Sequence, residues 1–143
     1  VKVSHIISGK PVKTISPSSS IQELVNSLKT HQVGALVVSD DGKKISGIVS
    51  ERDVVRALSG NLDRLEAFQV KDLMTSQVHT CNAETTVEEL MKIMTERRIR
   101  HIPVVDDRGE LVSIVSIGDV VKYYVSEIEL ERQSLKEYIT GAN

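Results

Sequence analysis

Cysteine occurs once in this 143-residue chain, tryptophan not at all and phenylalanine once. A single thiol, Cys81, excludes an internal disulfide and a multi-thiolate zinc site, and a reducing cytoplasm is the expected compartment. With only three tyrosines beside that phenylalanine, there is almost nothing from which to build a stacking platform for single-stranded nucleic acid. Neither sign of charge dominates: 18 Lys and Arg against 20 Asp and Glu leave a net charge of −2, which gives no general field for nucleic acid or an anionic membrane. Uninterrupted apolar runs stay as short as Ala35-Leu36-Val37-Val38, far from the ~20 residues that span a bilayer, so no membrane partner is expected. The opening Val1-Lys2-Val3-Ser4-His5 lacks the long apolar stretch of a signal peptide, and none is expected. The four histidines, His5, His31, His79 and His101, show no i+3 or i+4 spacing, so no metal site is expected either.

What is present is 40% hydrophobic and 27% charged residues, the balance of an ordinary globular domain. A chain this long buries roughly 68% of its extended surface on folding, enough for a core without staples.

The sequence repeats itself. Sliding it by 66 positions lays residues 12–56 over 78–122 without a gap, and 13 of the 45 pairs are identical, among them Thr14/Thr80, Glu23/Glu89, Leu24/Leu90, Ser50/Ser116 and Asp53/Asp119. Each copy opens a helix with a capping box, Ser20 with Glu23 and Thr86 with Glu89. An apolar stripe at helical spacing follows, Ile21, Leu24, Val25 and Leu28 or Val87, Leu90, Met91 and Met94. Two short β-branched runs come next, at 35–38 and 45–49 in one copy and at 102–105 and 111–115 in the other. Asp40-Asp41-Gly42 and Asp106-Asp107-Arg108-Gly109 supply the turns between them. A second helix starts near Ser50 or Ser116, so each unit reads β-α-β-β-α. Such a unit has little core by itself, and the two copies are expected to pack together as one pseudo-twofold α+β body. Val3-Ser4-His5-Ile6-Ile7 echoes Val70-Lys71-Asp72-Leu73-Met74 ahead of the second unit, while Gly60 and Asn61 break the chain before a short helical piece bearing Leu62, Leu65 and Phe68.

The strand-to-helix joints, Gly47-Ile48-Val49-Ser50-Glu51-Arg52-Asp53 and Ser113-Ile114-Val115-Ser116-Ile117-Gly118-Asp119, hold the most chemistry. Ser-x-x-Asp ahead of an apolar run is a capping box in its own right. It is also a helix start whose N–H groups and dipole favour phosphate, with a carboxylate one turn in that can accept ribose hydroxyls. The two roles are compatible. Arg97-Arg98-Ile99-Arg100-His101 is the one dense basic cluster; a solvated helix end and phosphate contact weigh equally for it, with Arg97 and Arg98 as bystanders.

The duplicated unit, Gly-Ile-Val-Ser-Glu-Arg-Asp-Val at 47–54, and Arg98-Ile99-Arg100-His101-Ile102-Pro103-Val104-Val105-Asp106 together resemble a tandem pair of cystathionine-β-synthase (CBS) domains, over residues 3 to about 125. That resemblance implies a non-catalytic regulatory module, without a catalytic cofactor, that binds an adenosine-containing ligand (AMP, ADP, ATP, NAD(H) or S-adenosylmethionine) between the repeats. It implies one site from Ser50, Arg52 and Asp53 with Thr80, Cys81, Arg100, His101 and Ile102, and another from Ser116, Gly118 and Asp119 with Thr14, Ile15, Gly34 and Ala35. Arg52 faces Gly118 in the alignment, and Arg100-His101 faces Gly34-Ala35, so the two sites are expected to be unequal. Cys81 is expected to pack as a small apolar side chain. The expected divisions are unit 1 at 1–60, a connector and lead-in at 61–76, unit 2 at 77–126 and a helical extension at 127–143. Val121, Tyr124, Val125, Ile128, Leu135, Tyr138 and Ile139 recur at helical spacing from the second unit into that extension, and the resemblance favours a homodimer that acts on an effector protein. A structural or protein-interaction module, or a regulatory fragment of a larger enzyme or transporter, is the alternative.

Overall fold

The computed structural model describes residues 1–7 and 12–141. The duplication appears as two α+β units of like construction. In the first, β1 (Thr14–Ile15), α1 (Ile21–His31), β2 (Ala35–Val38), β3 (Gly47–Ser50) and α2 (Glu51–Leu58) follow in order. β1 pairs parallel to β2, and β2 antiparallel to β3. A 3-10 helix, Leu62–Ala67, and the single turn α3 (Val70–Leu73) connect to the second unit. There α4 (Val87–Arg97), β4 (His101–Val105), β5 (Leu111–Ser116) and the long α5 (Ile117–Thr140) repeat the pattern.

The first strand of the second unit shrinks to a single parallel bridge, Cys81 to Val104. Pro103 stands where the first unit has Val37, and without an N–H it cannot extend that ladder by another bond.

Local chemistry places the elements. Ser20 and Glu23 close a reciprocal capping box at the start of α1. At α4 only half of the expected box forms: the Thr86 hydroxyl accepts the Glu89 N–H, while the Val87 N–H goes to the Val1 carbonyl at 2.8 Å. Here the incoming N-terminal segment satisfies an N1 amide that a capping box leaves free. Asp41 accepts the Lys43 and Lys44 amides at 2.8 and 2.9 Å, which holds its carboxyl below the ordinary value and closes the β2–β3 turn. Asp106 accepts the Arg108 and Glu110 amides at 2.9 and 3.0 Å and closes the β4–β5 turn.

The lead-ins are exchanged between the units. The 3-10 turn Val3–His5 docks on the second unit, with Val3 N–H on Thr85 O at 2.7 Å and Ser4 N–H on Ala83 O at 3.1 Å. Val3 is fully buried in a core with Val87, Leu90, Met94, Ile102, Val104 and Val115. Conversely α3 docks on the first unit, with Val70 N–H on Ser19 O and Lys71 N–H on Pro17 O, both at 2.9 Å. Val70 completes the core of Ile15, Leu24, Leu28, Leu36, Val38 and Val49. Burial of each of these valines stabilises the fold by about 1.5–2 kcal/mol, and each core therefore needs a residue from the other side of the repeat. A further bond, Leu111 N–H to Lys43 O at 2.7 Å, ties the turn of one unit to the strand of the other.

Gly47 is fixed by this docking. Thr75 and Ile48 exchange backbone hydrogen bonds at 3.0 and 2.9 Å, so closely that a Cβ on Gly47 would stand 2.8 Å from the Thr75 carbonyl oxygen and 2.7 Å from Met74 Sδ. Gly47→Ala is therefore expected to lower unfolding stability by about 1–3 kcal/mol, measured by urea denaturation; unchanged stability would mean that the contact is not tight in solution.

Candidate functional site

Both strand-to-helix joints close the boxes anticipated from sequence. Asp53 Oδ2 accepts the Ser50 N–H at 2.8 Å and the Ser50 hydroxyl at 3.1 Å, and the Asp53 N–H returns to Ser50 Oγ at 3.4 Å. Asp119 Oδ2 makes the same bonds with Ser116 at 2.8 and 3.0 Å, with a return bond of 3.2 Å. Each following helix is also pinned to the start of its paired strand: the Glu51 N–H donates to Gly34 O at 2.9 Å, and the Ile117 N–H to Arg100 O at 2.8 Å. Strand register adds to this by setting Ala35 opposite Ser50 and His101 opposite Ser116. Two helix starts, their carboxylates and the residues just ahead of β2 and β4 are thereby held as a unit in each repeat.

The repeats meet at Gly34. A Cβ there would lie 3.5 Å from His101 Cε1 and 3.5 Å from Glu51 Oε1, which puts an imidazole of the second unit against backbone and a carboxylate of the first. Burial pushes the His101 pKa down; Asp119 and Glu51 oppose that, and Arg100 adds to it. Beside this seam opens a cleft of about 400 Å³ lined by Arg52 on α2, by Met94, Thr95, Arg98, Ile99 and Arg100 at the end of α4, and by Ile117 at the start of α5. The first repeat contributes Arg52 and the second the rest, so three of the lining residues are arginines. Its volume falls within the ~300–1,000 Å³ range of small-molecule sites.

Of the residues assigned from sequence, the cleft brings together Arg52 and Arg100. Arg98, read from sequence as a bystander, lines it as well. It ends α4 in the left-handed conformation at φ 55°, which turns the chain sharply out of the helix and toward β4. Ser50, Asp53, Ser116, Gly34 and His101 are half-buried along the seam, while Gly118 and Asp119 are exposed at the start of α5 and Thr80 ahead of the Cys81 bridge. Ile15, Ala35 and Ile102 are buried. Cys81 is buried in the second core, where desolvation pushes its thiol up to about 11, and its N–H and carbonyl are bonded to Pro103 and Val105 of β4. Sequence reasoning missed Glu51 and the α4 residues Met94 and Thr95. Glu51 lay within the motif, but only the packing of Gly34 shows that its side chain and His101 flank the same backbone.

A family model for the CBS domain matches residues 3–60 and 70–126. The chain belongs to the CBS-domain family. A curated relative, the mitochondrial CBS domain-containing protein CBSX3 of Arabidopsis thaliana, is 40% identical over 85% of this chain; the chain spans 61% of that protein's length. Among solved structures, the CBS-domain protein ATU1752 of Agrobacterium tumefaciens is similar with a TM-score of 0.81 at 40% identity, covering 87% of this chain and 99% of the other. CBSX2 in complex with AMP has a TM-score of 0.75 at 25% identity, covering 87% and 97%. The CBS pair of MJ0100 in complex with 5′-methylthioadenosine and S-adenosylmethionine has a TM-score of 0.78 at 28% identity, covering 87% and 99%.

His101 gives this CBS pair a testable pH signature. Unfolded, its pKa is the ordinary ~6.5; folded, it is lower, so near and below that value the unfolded chain binds more protons. The contribution of His101 is complete above the ordinary pKa and is lost as pH falls through it toward the folded value. Urea denaturation at pH 7.5 and 5.5 should show the parent chain losing more stability on acidification than His101→Gln; equal losses would contradict the burial of the imidazole.

Proposed function

We propose that this chain is a non-catalytic regulatory module that takes an adenosine-containing ligand, AMP, ADP, ATP or NAD(H), into the cleft between its CBS repeats. Binding would change how the repeats or subunits sit and so alter contact with an effector protein. The observation that carries the reading is the cleft itself, walled by both repeats and lined by Arg52, Arg98 and Arg100, a setting for phosphate beside a nucleoside. The similarity to CBS pairs solved with AMP and with 5′-methylthioadenosine and S-adenosylmethionine supports the adenosine class. In this reading Ser50, Arg52 and Asp53 work with Thr80, Cys81, Arg100, His101 and Ile102 at one site. Ser116, Gly118 and Asp119 work with Thr14, Ile15, Gly34 and Ala35 at a second. Both capping boxes close through Oδ2, so Oδ1 of each Asp is the atom that a ribose hydroxyl would approach. A homodimer in the cytoplasm completes the proposal.

A second reading has its own support. The closed boxes at Ser50 and Ser116 give both aspartates a complete structural role, as in an interaction module that holds no nucleotide. Calorimetry and thermal unfolding with AMP, with 5′-methylthioadenosine and S-adenosylmethionine as further arms, separate the two. A ligand at 100 times its Kd adds about 2.7 kcal/mol of stability. Asp53→Asn and Asp119→Asn keep an oxygen for the cap but lose the charge. They are expected to weaken AMP binding at least tenfold while ligand-free stability changes by no more than about 1 kcal/mol. Binding by none of the three ligands, or variants that lose stability and keep affinity, would favour the interaction module.

A further inference from the structure

Past Tyr124, α5 leaves the body of the protein: every residue from 125 to 141 is exposed. A sequence with no face to bury does not stay helical by propensity alone over so many turns. α5 nevertheless carries an apolar stripe, Val121, Val125, Ile128, Leu135 and Ile139, each 49% to 74% exposed. The steps are 4, 3, 7 and 4 residues, and Arg132 occupies the position that splits the 7 into 4 and 3. This is a heptad seam, with Val125, Arg132 and Ile139 at a and Val121, Ile128 and Leu135 at d. Val120, Tyr123 and Tyr124, which pack on the second core, fall at c, f and g, and from Val125 onward the seam is clear of the body.

We infer that α5 pairs with α5 of a second copy as a parallel two-stranded coiled coil. Charge decides the direction. In a parallel pair each g residue faces the e residue five positions on in the partner, which sets Glu131 against the partner's Lys136 twice per dimer and places Glu131 beside the partner's Arg132. In the antiparallel alignment that keeps the whole stripe in contact, with a packed on d, Glu131 meets its own copy, Glu129 meets its own copy, and Lys122 meets Lys136, so that every charged e and g contact repels; the one-heptad shift that sets Glu129 against Lys136 gives up the Val121 and Val125 layers. Val125 and Ile139 at a with Leu135 at d also suit two strands; Arg132 at a meets its own copy, which costs stability and is offset by the partner's Glu131 beside it. Within one chain Glu131 and Lys136 are five residues apart and do not face each other, so their complementarity has no use without a second copy.

This inference rests on the chain being a homodimer, and the test separates the two claims. Light scattering of the full chain reads the oligomeric state, and Leu135→Cys with mild oxidation reads the seam; Cys81 is buried and does not compete. A dimer that cross-links through position 135 is expected, because only the parallel pair sets the two copies of that residue side by side. Glu131→Lys and Lys136→Glu singly should each weaken the dimer about tenfold, and the double exchange should restore it. A monomer would overturn both claims. A dimer that does not cross-link, or one that Glu131→Lys tightens, would leave the homodimer standing and overturn the parallel seam.

Discussion

Two valines set the architecture. Val70 fills the core of the first repeat and Val3 that of the second, each brought there by a short turn whose amides bond to the host unit. A repeat with one small sheet and two amphipathic helices leaves an open side. Exchange of the lead-ins closes both sides at once, and it makes the geometry between the repeats a property of two cores rather than of a surface contact. The Thr75–Ile48 bonds over Gly47 and the Lys43–Leu111 bond add rigid links.

A cleft between elements fixed in this way can hold charge that a loose junction would let relax into solvent. Arg52, Arg98 and Arg100 converge on it from two repeats. Close by, Asp119 and Glu51 act on a half-buried His101. The repeats arose as near copies, yet their seam is lopsided: Gly34-Ala35 in one becomes Arg100-His101 in the other, and Arg52 becomes Gly118. In the proposed reading, a pseudo-twofold scaffold thus carries a site with one cationic side, which would suit a ligand whose two ends differ, such as a nucleoside bearing phosphate.

Much of this was legible in the sequence, because local rules govern it. The Ser20 and Ser50 boxes, the Asp-Gly turns and the apolar stripes all act within a few residues, and the elements they mark are found where expected. The Thr86–Glu89 box forms only by half, and the bond beside it is one that no local rule contains: the Val1 carbonyl arrives from 86 residues away to take the Val87 N–H. The lead-in exchange was hidden for the same reason, since Val3 and Val70 look like ordinary apolar residues beside their own units. Pro103 was visible, but its effect depends on Cys81 lying next to it. At the site, motif residues were legible by type. The roles of Arg98 and Glu51 depend on a left-handed turn and on the missing Cβ of Gly34, which only packing reveals.

The central claim is that one ligand touches both repeats at once. Amide hydrogen exchange with and without saturating AMP tests it most directly. The account predicts slowed exchange in residues 47–53 of the first repeat and, at the same AMP concentration, in residues 98–102 of the second. Protection confined to one repeat, or none at saturation, would contradict it.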